Sequence, residues 1–391
     1  MENLYILKNM ISHPILLDFQ SSTPCLKEVV DEMNPYWTEI FANPSSKSNF
    51  AAIKASAALE FARQRIKHNL NLTNKKIIFT SGATESNNLA LFGFARNYYK
   101  KTGSYGNIIT LQTEHHAVLE PLRKLERDGF SLTEISPEED GLISEEKFLN
   151  AIKDDTFLVS IMFANNEIGV VQPIKNISEI CKRKKIILHT DAAQYLGYLP
   201  INDFESIANM ITISSHKIYG PKGVGLLLLD KEIKIEPLIF GGGQELGLRS
   251  GTLPLPLIIG FSKAVELSVR NQPINAIKLL NLRDKLLKGL LLKNPDIIVN
   301  GSLKNRLPNN LNITIQNVSG SLLHKYLKPK IICSSGSACS NGKPSHVLTS
   351  LGRSFKDAES SIRLSVGLNT TSQEIEEAIS VINNAINHLR S

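Results

Sequence analysis

A mostly parallel sheet covered by helices on both faces, followed by a smaller α+β unit, is the α/β architecture this sequence predicts. Three observations carry the prediction. Between residue 75 and about residue 229, short apolar runs alternate with helical stretches, the βαβα order that feeds a parallel sheet. Those runs are rich in β-branched residues and leucine, as strands covered on both faces are. Beyond about residue 256 the order changes to long helices with isolated β-like runs between them.

Taken in order, strands are predicted at 75–79, 107–111, 157–163, 186–189, 210–213 and 224–229, and helices at 85–101, 117–128 and 174–184. An earlier helix is predicted over 48–68, where Phe50, Ile53, Ala57 and Phe61 recur at helical spacing on one face. In the second part, helices at 257–270 and 277–292 precede β-like runs at 312–315 and 331–332, and a charged helix covers 372–390. This implies a large domain at 17–256 and a small one at 257–391, with residues 1–16 packing on the small one.

Composition bounds the function. With 391 residues, 42% of them hydrophobic, the chain can bury an ordinary globular core in two domains. The net charge of +7 comes partly from clusters such as Lys182-Arg183-Lys184-Lys185, read as a solvated helix face. Such charge can help dock an acidic partner or a nucleic acid, but no RNA-binding module or basic tail is present. No apolar run reaches the roughly 18 residues of a membrane span, and residues 1–13 lack the pattern of a secretory leader. A cytoplasmic protein without membrane contact is expected. Cys25, Cys181, Cys333 and Cys339 form no CxxC pair, which argues for free thiols and against a metal site.

Three segments carry chemistry. Ser81-Gly82-Ala83-Thr84-Glu85-Ser86 follows a strand and opens a helix, so its N–H groups and the Thr84 hydroxyl can hold a phosphate. A plain strand-to-helix turn with a threonine cap has the same look. His189-Thr190-Asp191-Ala192-Ala193-Gln194 follows another strand, where ligands of open α/β sheets gather. Asp191 there can pair with a protonated pyridine nitrogen, although an aspartate also caps helices. Ser214-Ser215-His216-Lys217 ends a third strand, and its lysine suits a Schiff base, where an isolated lysine is ordinarily an exposed one.

Together, and in this order, the segments make the chain similar to the class-V aminotransferase group of fold-type-I pyridoxal 5'-phosphate enzymes. Within that group it resembles the NifS/IscS-like cysteine desulfurases, nearly end to end. The resemblance also rests on Thr113-Glu114-His115, Asn165-Asn166-Glu167-Ile168-Gly169, Arg249-Ser250-Gly251-Thr252 and Ser334-Ser335-Gly336-Ser337-Ala338-Cys339. It implies that Lys217 holds the cofactor and moves protons, that His115 stacks on the ring and serves acid–base steps, and that Asp191 pairs with the ring nitrogen. Asn166 and Gln194 would bond the ring hydroxyl, and Ala83, Thr84, Ser214 and His216 the phosphate. Thr252 would reach the phosphate of a neighbouring subunit, implying a homodimer. Arg363 would grip the substrate carboxylate, a task suited to a bidentate guanidinium, with Asn43 as a further substrate contact.

Cys339 lies in a stretch with two glycines and almost no apolar anchor, the composition of a mobile loop, placed at 333–344. The resemblance implies that its thiolate attacks the sulfur of L-cysteine, keeps it as a persulfide and lets alanine leave. A sulfur-acceptor protein is then the partner, such as an iron–sulfur scaffold, with nucleic acid reached only indirectly through tRNA thiolation. Cys333 sits among isoleucines and reads as a strand-end core residue, and Cys25 and Cys181 as structural. Three positions depart from the family pattern. Leu246 stands where arginine is common, Ser215 replaces a frequent glycine, and the loop after Cys339 is about two residues shorter. The competing readings are a selenocysteine lyase or another class-V lyase, a sulfur-relay scaffold that binds the cofactor, and a nucleic-acid binder.

Overall fold

The computed structural model describes residues 14–46, 48–335 and 344–391. A two-residue strand, β1 (Ile15–Leu16), is followed by seven strands that form one sheet: β2 (Lys75–Thr80), β3 (Asn107–Leu111), β4 (Ser131–Ile135), β5 (Thr156–Ser160), β6 (Ile187–Asp191), β7 (Met210–Ser214) and β8 (Gly225–Asp230). Their spatial order is β2-β8-β7-β6-β5-β3-β4. The β4–β3–β5–β6–β7 pairings are parallel, and β8 runs antiparallel to both of its neighbours. The predicted α/β class with a mostly parallel sheet is therefore the one observed.

The side-chain alternation of each strand divides the sheet between two cores. Ile77, Phe79, Ile109, Val159 and Ile211 enter one, while Ile78, Ile108, Leu158 and Met210 enter the other. That is why the strands read as continuous apolar runs. Helix α1 (Phe50–Asn69) packs on the first core, and α2 (Ala83–Thr102) and α3 (His116–Arg127) on the second. Gly103 ends α2 in the left-handed conformation, its N–H bonded to Tyr99 O at 2.8 Å. Helix α4 (Ile174–Lys184) lies on the first face and is followed directly by β6.

A second sheet holds β9 (Ile298–Val299), β10 (Asn310–Thr314), β12 (Ser334–Ser335) and β13 (Ser361–Ser365), all antiparallel, in the order β12-β13-β10-β9. Strand β11 (Ile331–Ile332) pairs with β1 in parallel, so residues 15 and 16 pack on this second unit. A third core lies between this sheet, the second half of α5 (Leu255–Leu291) and α6 (Ser372–Arg390). The ends of α6 match the expectation, because Thr371 and Glu374 form a reciprocal capping box.

Two expectations are corrected. The two helices expected at 257–270 and 277–292 are one helix, α5, that continues through Pro273. Its first half is buried in the large core through Ile258, Phe261 and Val265, and its second in the small core through Leu279, Leu286 and Leu290. Anchorage at both ends outweighs the cost of the proline. The apolar face read on α1 is also not its packed face. Phe50, Ile53 and Phe61 are exposed, and Ala52, Ala55, Ala62 and Ile66 pack inward. Small residues let α1 approach α5 closely. The strands at 131–135 and 361–365 were not read from sequence. β4 is only half-buried, and β13 carries an arginine at its centre.

Candidate active site

Strands β2, β3, β5, β6 and β7 all end on one edge of the large sheet, where Thr80 pairs with Gly225 and Gly225 with Ser214. The loops leaving that edge and the facing wall of the second unit enclose a cavity of about 1000 Å³. Ala83, Thr84, His115, Asn166, Asp191, Gln194, Ser214, His216, Lys217 and Arg363 all line it. Segments from across the sequence thus converge because parallel strands deliver their carboxyl ends to one side.

The floor comes from the large sheet. Gly82 precedes α2 with φ 153°, a conformation that favours glycine. A Cβ on Gly225, across the ladder, would come within 2.7 Å of the Gly82 backbone, so both positions need glycine. No side chain caps the first turn of α2, and Ala83 and Thr84 present it to the cavity. Ser214 is buried at the end of β7, and its Oγ has no hydrogen-bond partner among the described residues. Beside it, His216 is pushed down to about 4 by burial and by the neighbouring Lys217 and Lys222 charges, so it is neutral near pH 7. Its Nδ1 lies 3.2 Å from Ser22 Oγ.

Asp191 is buried at the end of β6. Its Oδ1 accepts the Ala193 N–H at 2.9 Å, and its Oδ2 accepts from Asn87 Nδ2 at 2.7 Å. His115 caps α3, its Nδ1 accepting the Ala117 N–H at 3.0 Å. In the neutral ring the proton therefore sits on Nε2. Burial lowers the His115 pKa, with Lys217 and His116 adding to the effect against the Asp191 charge. Lys217 Nζ donates to Gln20 O at 2.5 Å and Ser21 O at 2.9 Å.

The wall comes from the second unit and the N-terminal segment. Arg363, central in β13, donates from Nη2 to Asp18 Oδ1 (2.8 Å), Ser21 Oγ (2.5 Å) and Ser334 Oγ (2.7 Å), and from Nη1 to Asn166 O (2.9 Å). Ser334 Oγ also donates to Asp18 Oδ1 at 2.9 Å. Farther along the rim, Ser345 Oγ donates to Glu167 Oε2 at 2.5 Å, and the His346 and His116 rings stand 4.7 Å apart.

Asn43 and Thr252 are exposed and do not line this cavity; Asn43 Oδ1 accepts the Ser45 N–H at 2.9 Å. Cys339 lies outside the described residues, as does most of the loop expected at 333–344. The other thiols sit in environments that disfavour the thiolate. Burial pushes Cys333 and Cys181 up to about 12 and raises Cys25. Of the departures, Leu246 is exposed with φ 60°, and Ser215 is fully buried.

Sequence reasoning assigned no role to Asp18, Ser334, Asn87 or Glu114. Ser334 and Glu114 lie in motifs already quoted, and Arg363 sits between Ser361 and Ser365, but only the fold brings 18, 334 and 363 together. Glu114 is wholly buried, and burial, aided by the Asp191 charge against the Met162 N–H bond, raises its pKa well above the usual carboxylate range.

The floor fits pyridoxal phosphate. Ser214 Oγ is an orphaned buried donor beside a helix start without a side-chain cap, as a phosphate requires, and a buried aspartate and a lysine share the same cavity.

Comparison with known proteins agrees. Residues 15–378 match the family model for aminotransferase class-V. A cysteine desulfurase IscS of Neisseria meningitidis serogroup C is 43% identical over 97% of this chain and 94% of its own. The mitochondrial cysteine desulfurase of Eremothecium gossypii is 44% identical over 97% of this chain and 77% of its own. Among solved structures, a NifS-like protein superposes with a TM-score of 0.90 at 34% identity, covering 96% of this chain and 100% of that one. SspA in complex with cysteine superposes with a TM-score of 0.77 at 37% identity, covering 90% and 98%.

Proposed function

The chain belongs to the aminotransferase class-V family and, within it, to the pyridoxal-phosphate-dependent cysteine desulfurases; from that premise we propose how its residues divide the work. The observation that carries the reading is the convergence of Lys217, Asp191, the first turn of α2 and Arg363 on one cavity. The first turn of α2 with Thr84, Ser214 and His216 holds the phosphate. Asp191 meets the ring nitrogen, and Asn166 and Gln194 meet the ring hydroxyl. His115 would stack on the ring, its neutral imidazole carrying the proton on Nε2. When bound, the cofactor supplies an electron sink for negative charge formed at the substrate Cα.

Arg363 takes the carboxylate of L-cysteine, which replaces part of its present hydrogen bonding. Lys217 Nζ removes the Cα proton and later returns one. The thiolate of Cys339 attacks the substrate sulfur. One C–S bond breaks and one S–S bond forms, so L-cysteine and the Cys339 thiol become L-alanine and a Cys339 persulfide. The persulfide then passes to a sulfur-acceptor protein, such as an iron–sulfur scaffold or a tRNA-thiolation enzyme.

The same reading makes the protein a homodimer in which Thr252 reaches the phosphate in a partner's site, with Asn43 as a substrate contact. Both residues are exposed, as are Trp37, Phe41, Phe50, Ile53 and Phe61 in the stretch around α1, an apolar set that a second copy would cover. The chain divides into domains at 17–256 and 257–391 with α5 as the link, and the protein works in the cytoplasm. No helix among the described residues is long and apolar enough to cross a membrane.

The test is cofactor-loaded protein incubated with L-cysteine and a thiol reductant. Alanine and sulfide in equal amounts, absent without cofactor, are the expected products. Pyruvate in place of alanine would assign another lyase chemistry.

A further inference from the structure

We propose that Asn87 is a positioning residue for the cofactor's ring nitrogen, acting by fixing the carboxylate of Asp191. The inference deepens the proposed function and rests on its assignment of Asp191. Asn87 is fully buried, one turn into α2. Its Nδ2 donates to Asp191 Oδ2 at 2.7 Å, while the Ala193 N–H holds Oδ1 at 2.9 Å. A carboxylate only accepts, which decides the end of the amide that faces it. Each carboxylate oxygen thus has its own donor, one from α2 and one from the loop after β6. Rotating the group breaks at least one of these bonds.

A merely structural role does not account for an asparagine here. Its Oδ1 is buried with no hydrogen-bond partner among the described residues, a cost that leucine of similar volume would not carry. Leu89, Ala90 and Leu91, next on the same helix, are buried apolar residues. What an asparagine adds is the bond to Asp191.

The placement also links the two ends of the site. Ala83 and Thr84 face the cavity from the first turn of α2, and Asn87 follows four residues after Ala83. One rigid helical turn therefore sets the phosphate end and the ring-nitrogen end together. Glu114, also buried, is held elsewhere: its Oε1 accepts the Met162 N–H at 2.6 Å, and burial raises its pKa.

The experiment loads wild type, Asn87→Leu and Asp191→Asn with pyridoxal phosphate labelled with ¹⁵N in the ring. It reads the ring ¹⁵N shift, which reports protonation, together with cofactor affinity from absorbance titration. Wild type is expected to hold the nitrogen protonated. Asn87→Leu is expected to shift it toward the neutral form and weaken cofactor binding about tenfold. The thermal midpoint of the cofactor-free variant should stay level or rise. An Asn87→Leu protein with wild-type shift and affinity within about twofold overturns the proposal, while Asp191→Asn still moves the nitrogen. If Asp191→Asn also leaves the nitrogen protonated, the assignment of Asp191 itself fails. Should Asn87→Leu not fold, Asn87→Ala is read in the same two ways.

Discussion

The floor and the wall of the cavity are built on opposite plans. On the floor, Ser214 Oγ has no hydrogen-bond partner among the described residues, and the first turn of α2 has no side-chain cap. On the wall, Arg363 already donates to Asp18, Ser21, Ser334 and the Asn166 carbonyl. A buried hydroxyl without a partner carries a cost that a tightly bound group can offset. A guanidinium held by a carboxylate and hydroxyls can exchange some of those bonds for a substrate carboxylate and return to them afterwards. The difference suits a resident cofactor below and a substrate that comes and goes above.

The largest expected effect belongs to the residue that serves both regions. Lys217→Ala should lower turnover by roughly 10³-fold or more, the scale of removing a catalytic base. Borohydride treatment of loaded wild type should fix the cofactor to the peptide holding Lys217, and the variant should show no such adduct. Labelling of another lysine would break the floor assignment at its centre.

Next, Arg363→Gln should cost about 100-fold in kcat/KM for L-cysteine, as the loss of a charge-assisted bidentate contact does. Its cofactor dissociation constant should remain within about twofold of wild type. Asp18→Asn should act on the same kinetic parameter by about tenfold or less, because it loosens the arginine without removing it. The comparison fails if either wall variant weakens the cofactor as strongly as the substrate.

Ser214→Ala is the converse. Losing one hydrogen bond predicts a cofactor dissociation constant about fivefold higher with KM for L-cysteine unchanged, measurable by absorbance titration and steady-state kinetics. A changed KM with normal cofactor affinity would place Ser214 on the substrate side.

A further effect, on stability rather than on the site's affinity, concerns acid. His189 is fully buried in the sheet beneath the floor, Nδ1 2.8 Å from Ser160 Oγ and Nε2 3.2 Å from Thr212 Oγ1, and burial pushes it down to about 3. His216 is pushed down to about 4. Both stay neutral in the fold while the unfolded chain takes up protons below about pH 6.5. Stability therefore falls as pH drops from 6.5 toward these values. Between pH 6.5 and 5 His189 alone predicts a loss of about 2 kcal/mol. Urea unfolding midpoints at the two pH values check this, and His189→Gln should flatten the slope. An unchanged slope in that variant would contradict a neutral His189.

Much of the floor was legible because it is local in sequence. Each motif follows its own strand, and strand ends of a parallel sheet meet by topology, so Thr84, Asp191, Ser214 and Lys217 could be grouped without coordinates. The wall was less so. Asp18, Ser334 and Arg363 come from three distant segments whose meeting depends on β1 pairing with β11 and β12 with β13. Helix α5 misled because Pro273 is a local signal for a break, overridden by burial in two cores. The face of α1 misled for a related reason. Helical periodicity shows that an apolar stripe exists but not what covers it, and within one chain the alanine stripe is the buried one.

The most direct test of the account is a single turnover of the loaded protein with L-cysteine and no reductant, read by intact mass and peptide mapping. One added sulfur on the peptide holding Cys339 is expected, with alanine released in equal amount, and none of either with Cys339→Ala. Alanine formed at the normal rate by Cys339→Ala, or sulfur found on Cys333 instead, would contradict it.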